Sequence, residues 1–307
     1  MPALITHHIF GEDAAALLPA GAVVGSEELL AFLLGNQGPD PLFSRFTCGP
    51  RTSRACWLLA HRMQSGRVVE AFSAMREGVG RLPRADARIG RAFALGVVGH
   101  YALDRVAHPL VIAQQRALVA ADPSLASSPQ ELHATIESDL DEWTLWERRR
   151  ATVLERPTQT HLMRTPRVCR VAGALLSQVA ASTFQLEVGA CEYGRAVADY
   201  EAIYRVIEPA GSPRSLLVAG LERAVRGRPL AQASAHYARR TSECPAANLA
   251  RRAWADPGDG RVSHESFADV YERGLADFPA LAAALGDGDA KRLAALVDGL
   301  DYEGRRA

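Results

Sequence analysis

An excess of charge of either sign is missing from this 307-residue chain, in which Lys+Arg and Asp+Glu both number 35. No net field therefore steers it toward nucleic acid or an anionic membrane surface. Cysteine is sparse too. Cys48, Cys56, Cys169, Cys191 and Cys244 are scattered and never spaced C-x-x-C. That excludes a disulfide framework and a thiolate zinc knot, and fits reduced thiols. No run reaches the roughly 20 apolar residues of a bilayer span. The opening MPALITHHIFGEDAAALLPAG has no basic leader before a long apolar core. A cytoplasmic protein without a transmembrane segment is the expectation. Strand-like alternation is scarce and internal repeats are absent. So are the His-Asp dipeptide of one class of metal phosphohydrolase, the H-E-x-x-H of zinc peptidases and the Glu-x-x-His of di-iron bundles.

What remains is helical material, with 48% hydrophobic residues to build a core. SEELLAFLLG opens a short helix at about Ser26, stopped by Gly35, Pro39 and Pro41. Two glycine-closed helices follow, and then the long apolar PRADARIGRAFALGVVGHYALDRVAH, whose end is expected at Pro109. SPQE predicts a capping box, with Ser128 as N-cap and Glu131 at N3, for a helix reaching about Arg150. Further helical runs fall near 167–189, 192–208 and 213–226. NLARRAWADPGDGRVSHESFADVYERG reads as helix, loop, helix. The fold class is all-α.

The chemistry concentrates in GHYALDRVAHP. A helix advances about 1.5 Å and about 100° per residue, which puts His100, Asp104 and His108 on one winding stripe, the outer pair roughly 12 Å apart at Cα. Zn–N bonds of about 2.0–2.1 Å argue against one ion holding both histidines. Two or more ions, with Asp104 able to bridge, suit the spacing better. His133 and Glu137 form a second i, i+4 pair. His61 lies in CWLLAHRMQ, Asp40 in the turn GNQGPDPLF, and His7 and His8 in ITHHIF. Singly, each has an ordinary reading as a core histidine, a surface helix pair or a turn former. Together, they read as a multinuclear metal site.

This order of motifs resembles the bacterial zinc-dependent phospholipase C family and the related single-strand-specific zinc nucleases, strongly over residues 1–150. The resemblance implies a multi-helix orthogonal bundle, one phospholipase C-like domain over 1–307. Its ligands would lie in 1–150, and a helical half over 166–307 would shape the cleft. It implies two or three Zn²⁺ ions: a first held by Asp40, His61, His100 and Asp104, and a second by His108, His133 and Glu137. A third would be bridged by Asp104 and completed by His7 and the chain's amino terminus. Family members present an N-terminal tryptophan, whereas this chain begins Met1-Pro2. Loss of Met1 would leave a proline amine that could chelate, or the third site could use His8.

Three Zn²⁺ against Asp40, Asp104 and Glu137 would leave a positive surplus suited to a hydroxide and an anionic phosphodiester. Asp40 is the candidate for both ligand and proton acceptor. Backbone carbonyls, Asp139 or Asp141 could fix the histidine tautomers. The expected reaction is hydrolysis of a phospholipid or related phosphodiester. A single-strand nuclease is the first alternative, disfavoured by the lack of a basic stripe. A catalytically silent, metal-stabilised helical binding protein is the second. The aromatics flanking the ligands, Trp57, Trp143 and Trp146 among them, read as core before stacking platform. His161 and His236 receive no role, and His264 beside Glu265 reads as a helix N-terminal pair.

Overall fold

The protein is described from a computed structural model covering residues 4–226 and 230–306. Its helices are α1 (Leu4–Ala15), α2 (Ser26–Gly35), α3 (Pro50–Ser65), α4 (Val68–Arg81), α5 (Arg84–Ala121), α6 (Pro129–Arg149), α7 (Pro166–Phe184), α8 (Glu192–Ile207), α9 (Pro213–Arg226), α10 (Leu230–Ala233), α11 (Phe267–Asp287) and α12 (Ala290–Val297). The strands β1 (Trp254–Ala255) and β2 (Val262–Ser263) form one antiparallel pair. The all-α class is thus what the chain adopts. Among the described residues no helix is long and apolar enough to cross a membrane, and all five cysteines are free.

The longest apolar run becomes the axis of the molecule. Between Ile89 and Val111 nearly every residue of α5 is buried, on all faces, the pattern of a helix surrounded by others. Helices α1, α2, α4, α6, α7 and α11 pack around it. The crossing of α2 is especially close. A Cβ on Gly35 would come 2.3 Å from the Phe93 carbonyl oxygen, and one on Gly96 would come 2.1 Å from that of Phe32. Only glycine fits at either position. This crossing sets the turn after α2, which carries Asn36 and Asp40, directly against His100.

Three local expectations are corrected. Helix α5 does not end at Pro109 but continues to Ala121. A proline costs one amide donor and crowds the preceding turn, yet Pro109, Leu110 and Val111 are buried within the helix, which runs on past them. The C-terminal tail fits the resulting notch: a Cβ on Gly304 would meet the Arg105 carbonyl oxygen at 2.5 Å and the Pro109 ring at 2.8 Å. Ser128 precedes α6 but makes no side-chain cap bond. The capping box forms instead at α11, between Ser266 and Asp269. The helix expected before the DPGDGR loop is replaced by a short 3-10 turn (Pro245–Ala247) and the β1–β2 hairpin.

Candidate metal centre

Four segments converge beside the middle of α5. Helix α1 supplies His7, the turn after α2 supplies Asp40, α5 supplies His100, Asp104 and His108, and α6 supplies His133 and Glu137. Among the described residues these give two groups able to hold a metal ion: His7, His100 and Asp104, and separately His108, His133 and Glu137. Within each group the candidate ligand atoms lie within 4.8 Å of one another. His7, Asp40, Asp104, His108, His133 and Glu137 line one cleft of about 320 Å³.

Hydrogen bonds on the far side of each ring show what the near side is for. The Nδ1 of His100 lies 3.0 Å from the Asn36 carbonyl oxygen, and that of His108 lies 2.7 Å from the carbonyl oxygen of Tyr302. A carbonyl only accepts, so both Nδ1 atoms carry hydrogen. His133 Nδ1 faces Gln115 Oε1 at 3.3 Å, and the Gln115 amide is oriented by donating to the Pro129 carbonyl. The three Nε2 atoms all face carboxylates. His100 Nε2 is 3.0 Å from Asp104 Oδ2, His133 Nε2 is 3.2 Å from Glu137 Oε1, and His108 Nε2 is 3.5 Å from the same oxygen. A lone pair that close to an anion requires a positive charge between them: a second proton on the ring, or a metal ion.

The fine geometry favours the ion in the first group. His100 is fully buried, and its Nε2 has no hydrogen-bond partner despite its short distance to Asp104. The ring and the carboxylate are therefore not aimed at each other but converge beside one another. His7 Nε2 approaches the other Asp104 oxygen at 3.1 Å, its ring stacked on His100 at 4.0 Å. Asp104 Oδ1 is also 3.9 Å from His108 Nδ1, which places this carboxylate between the two groups. Imidazole and carboxylate donors without thiolate suit a borderline divalent ion, and second acceptors on the rings are the usual companions of ligating histidines. The donor set fits a metal.

Without an ion, the same proximity shifts protons. Burial alone would lower His108, but the Asp104 carboxylate and the Glu137 hydrogen bond push it up to about 10. His100 is raised against its burial by Asp104 and Asp40. Burial alone would raise Asp104, yet His100, His108 and His7 hold it well below the usual carboxylate range. Glu137 is held down in the same way, against burial, by His133 and His108.

His61 is not in the site. It is exposed on α3, stacked on Trp57 at 5.0 Å. The buried face of α3 runs through Cys56, Ala60 and Met63, and a residue at 61 points about 100° away from one at 60. Gln64, one turn on, takes the inward place and donates to Asp40 Oδ1 at 2.7 Å. Asp40 sits 3.8 Å from His100 Nε2 and lines the cleft, outside the tighter three-residue group. Of the tandem histidines only His7 faces the site. His8 turns to the His161 carbonyl oxygen at 3.1 Å and to Glu12 at 3.4 Å. The proposed amine of Pro2, like Met1, lies outside the described residues.

Neither Asp139 nor Asp141 orients a ligand histidine. Asp139 faces Arg239, while Asp141 accepts from the Ile5 and Thr6 amides at the start of α1. Tyr302 and Glu303, which line the cleft from the chain's last residues, were not legible as site residues. Tyr302 contributes through its backbone, which residue type does not signal.

One glycine is tied directly to this geometry. Gly38 has φ +51°, and a Cβ there would come 2.4 Å from His100 Cδ2. Gly38→Ala is expected to displace the His100 ring, lower stability by about 1–3 kcal/mol and reduce metal content. Thermal melting and elemental analysis check this. No family model, curated protein or solved structure matches the chain.

Proposed function

We propose that the chain is a zinc-dependent phosphodiesterase of the phospholipase C type, hydrolysing a phospholipid or related phosphodiester. The observation that carries this reading is the pairing of two three-ligand groups, with Asp104 between them, all but the fully buried His100 lining one cleft. Three protein ligands per ion leave positions open, as catalytic zinc sites do and structural ones do not. Bound zinc ions would supply an acidified water, a hold on the phosphoryl oxygens and neutralisation of the leaving oxygen.

The chain's own groups do the rest. His7, His100, His108 and His133 enter as neutral ligands, with three rings fixed by their acceptors. Gln64 pins Asp40 Oδ1, leaving the other oxygen of Asp40 to take the proton of the attacking water. Burial of His100, Asp104 and Glu137 keeps bulk water from the ligand side of the site. Among the described residues no lysine or arginine lines the cleft, and the rest of its lining includes Ile112, Gln115, Tyr302 and Glu303. A phosphate there meets metal charge rather than a basic groove, which favours a phospholipid-type diester over a nucleic-acid strand.

The deciding experiment uses protein purified without chelators or a histidine tag. Elemental analysis is expected to give at least two equivalents of zinc, with hydrolysis of bis-nitrophenyl phosphate abolished by chelation and restored by zinc. Preference for nitrophenyl-phosphocholine over single-stranded DNA or RNA supports the phospholipase reading, and the reverse preference supports the nuclease. Full metal with no turnover of any diester would leave the metal-stabilised binding protein. His61→Ala is expected to keep its zinc and its rate within about twofold, since an exposed side chain outside the cleft adds little.

A further inference from the structure

Helix α9 is turned inside out. Its 14 residues present small Ser215 and Ala219 to the protein, Ser215 bonding Gln232 at 2.9 Å. Its large apolar residues face solvent: Leu216 is 58% exposed, Leu217 65%, Leu221 60% and Val225 83%. A surface helix ordinarily does the opposite. At about 100° per residue, the exposed apolar positions, with Gly220 and Ala224 between them, fill a continuous arc of about 180°. Arg223 borders one side of the arc and Arg214 lies near the other, both exposed. Among the described residues neither pairs with a carboxylate, since Arg214 donates to the Val206 and Glu208 carbonyls. The helix's one acid, Glu222, lies outside the apolar arc and is only partly exposed.

A contiguous apolar face of this kind marks an interaction surface, and two physical arguments choose its occupant. A helix of this length spans about 21 Å. Its outer face alone offers far less than the roughly 800 Å² per partner of a standard protein interface. A symmetric contact between two copies would also bring the arginine borders into the same small interface with no acid on the face to answer them. An anionic lipid surface accepts a single helix, taking leucines into the acyl boundary and arginines at the headgroups. We propose that α9 docks the protein onto an anionic phospholipid bilayer, lying in the plane of its interface. The chain's overall charge balance does not oppose this, because the attraction is local to one helix and falls off within a Debye length of about 8–10 Å. The inference stands independently of the metal centre, and its readout is binding, not turnover.

The test is flotation of the full-length protein with vesicles of phosphatidylcholine containing about one-third phosphatidylglycerol. Wild type is expected to float with these vesicles, to float less with pure phosphatidylcholine, and to be released by salt. Leu217→Glu/Leu221→Glu is expected to cut the bound fraction about tenfold or more. Arg223→Glu is expected to weaken binding to the anionic vesicles alone. The substituted side chains are exposed, so unchanged thermal melting and metal content will show that the variants fold. Failure of wild type to float, or flotation unchanged in the leucine variant, would overturn the proposal. So would a wild-type dimer that the leucine variant dissociates without any vesicle binding, which would assign the face to a second copy.

Discussion

Asp104→Asn is expected to lose at least one equivalent of metal and to cut phosphodiester turnover by about a thousandfold or more. Asparagine is nearly the same size, so packing is not what changes. Asp104 uses both oxygens, Oδ1 facing His7 Nε2 at 3.1 Å and Oδ2 facing His100 Nε2 at 3.0 Å. The amide keeps one oxygen and turns an N–H₂ toward the other ring, so one of the two imidazoles meets a donor where it met an anion. The negative charge standing between the two ligand groups disappears with it. Elemental analysis beside steady-state rates reads both effects. Full metal content with full activity would remove Asp104 from the centre. Loss of activity with full metal would reduce its role to orienting the groups. The His108–His133–Glu137 group provides an internal comparison, because its contacts to Glu137 persist in this variant and only the more distant Asp104 charge, 3.9 Å from His108 Nδ1, is lost.

How much of this was legible in the sequence depends on the kind of signal each residue gives. H-x-x-x-D-x-x-x-H and H-x-x-x-E report through side-chain spacing on helices that do form. The structure divides His100 from His108 between two groups, as their separation along α5 requires. His61 fails by a single step of helical phase. In CWLLAHRMQ nothing local shows that Cys56, Ala60 and Met63, and not the positions beside them, define the buried face, so Gln64 gives no signal of its own. Asn36 and Tyr302 hold ligand rings through backbone oxygens, and any residue type can offer one. Tyr302 also reaches the site from almost the opposite end of the chain, a juxtaposition that only the packing of α11 and the tail on α5 creates. Helix α5 passes Pro109 because its surroundings decide what a local rule alone would forbid. By sequence, Asp141 is a candidate partner for a ligand ring. It acts one step further back, on the start of the helix that carries His7.

That step links the candidate metal centre to His236, a residue without any role at the level of sequence. His236 is fully buried between two carboxylates, its Nε2 3.1 Å from Asp141 Oδ2 and its Nδ1 against Glu208 Oε1. Thr158 holds Glu208 by a 2.6 Å hydrogen bond, and the Tyr204 ring stacks on the imidazole. Burial alone would make this histidine neutral, but Glu208 and Asp141 push it up to about 10. It is a buried cation answering two buried anions. Removing it with His236→Leu is expected to cost about 3–5 kcal/mol, because the carboxylates stay and their counter-charge leaves. In a chain of this size that lowers the melting temperature by on the order of 10 °C.

The pH dependence identifies the cause. A pKa raised from 6.5 to about 10 gives stability that is fully present below pH 6.5 and lost as pH rises through about 10. The stability gap between wild type and His236→Gln should therefore be widest at or below pH 6.5 and close toward pH 10. A gap independent of pH would mean that the histidine is neutral and acts by shape. Asp141 also accepts from the Ile5 and Thr6 amides, next to His7. A carboxylate freed from His236 no longer fixes the first turn of α1, and affinity at the His7–His100–Asp104 group should fall about 10–100-fold. The His108–His133–Glu137 group should keep its affinity, a split that general destabilisation would not produce.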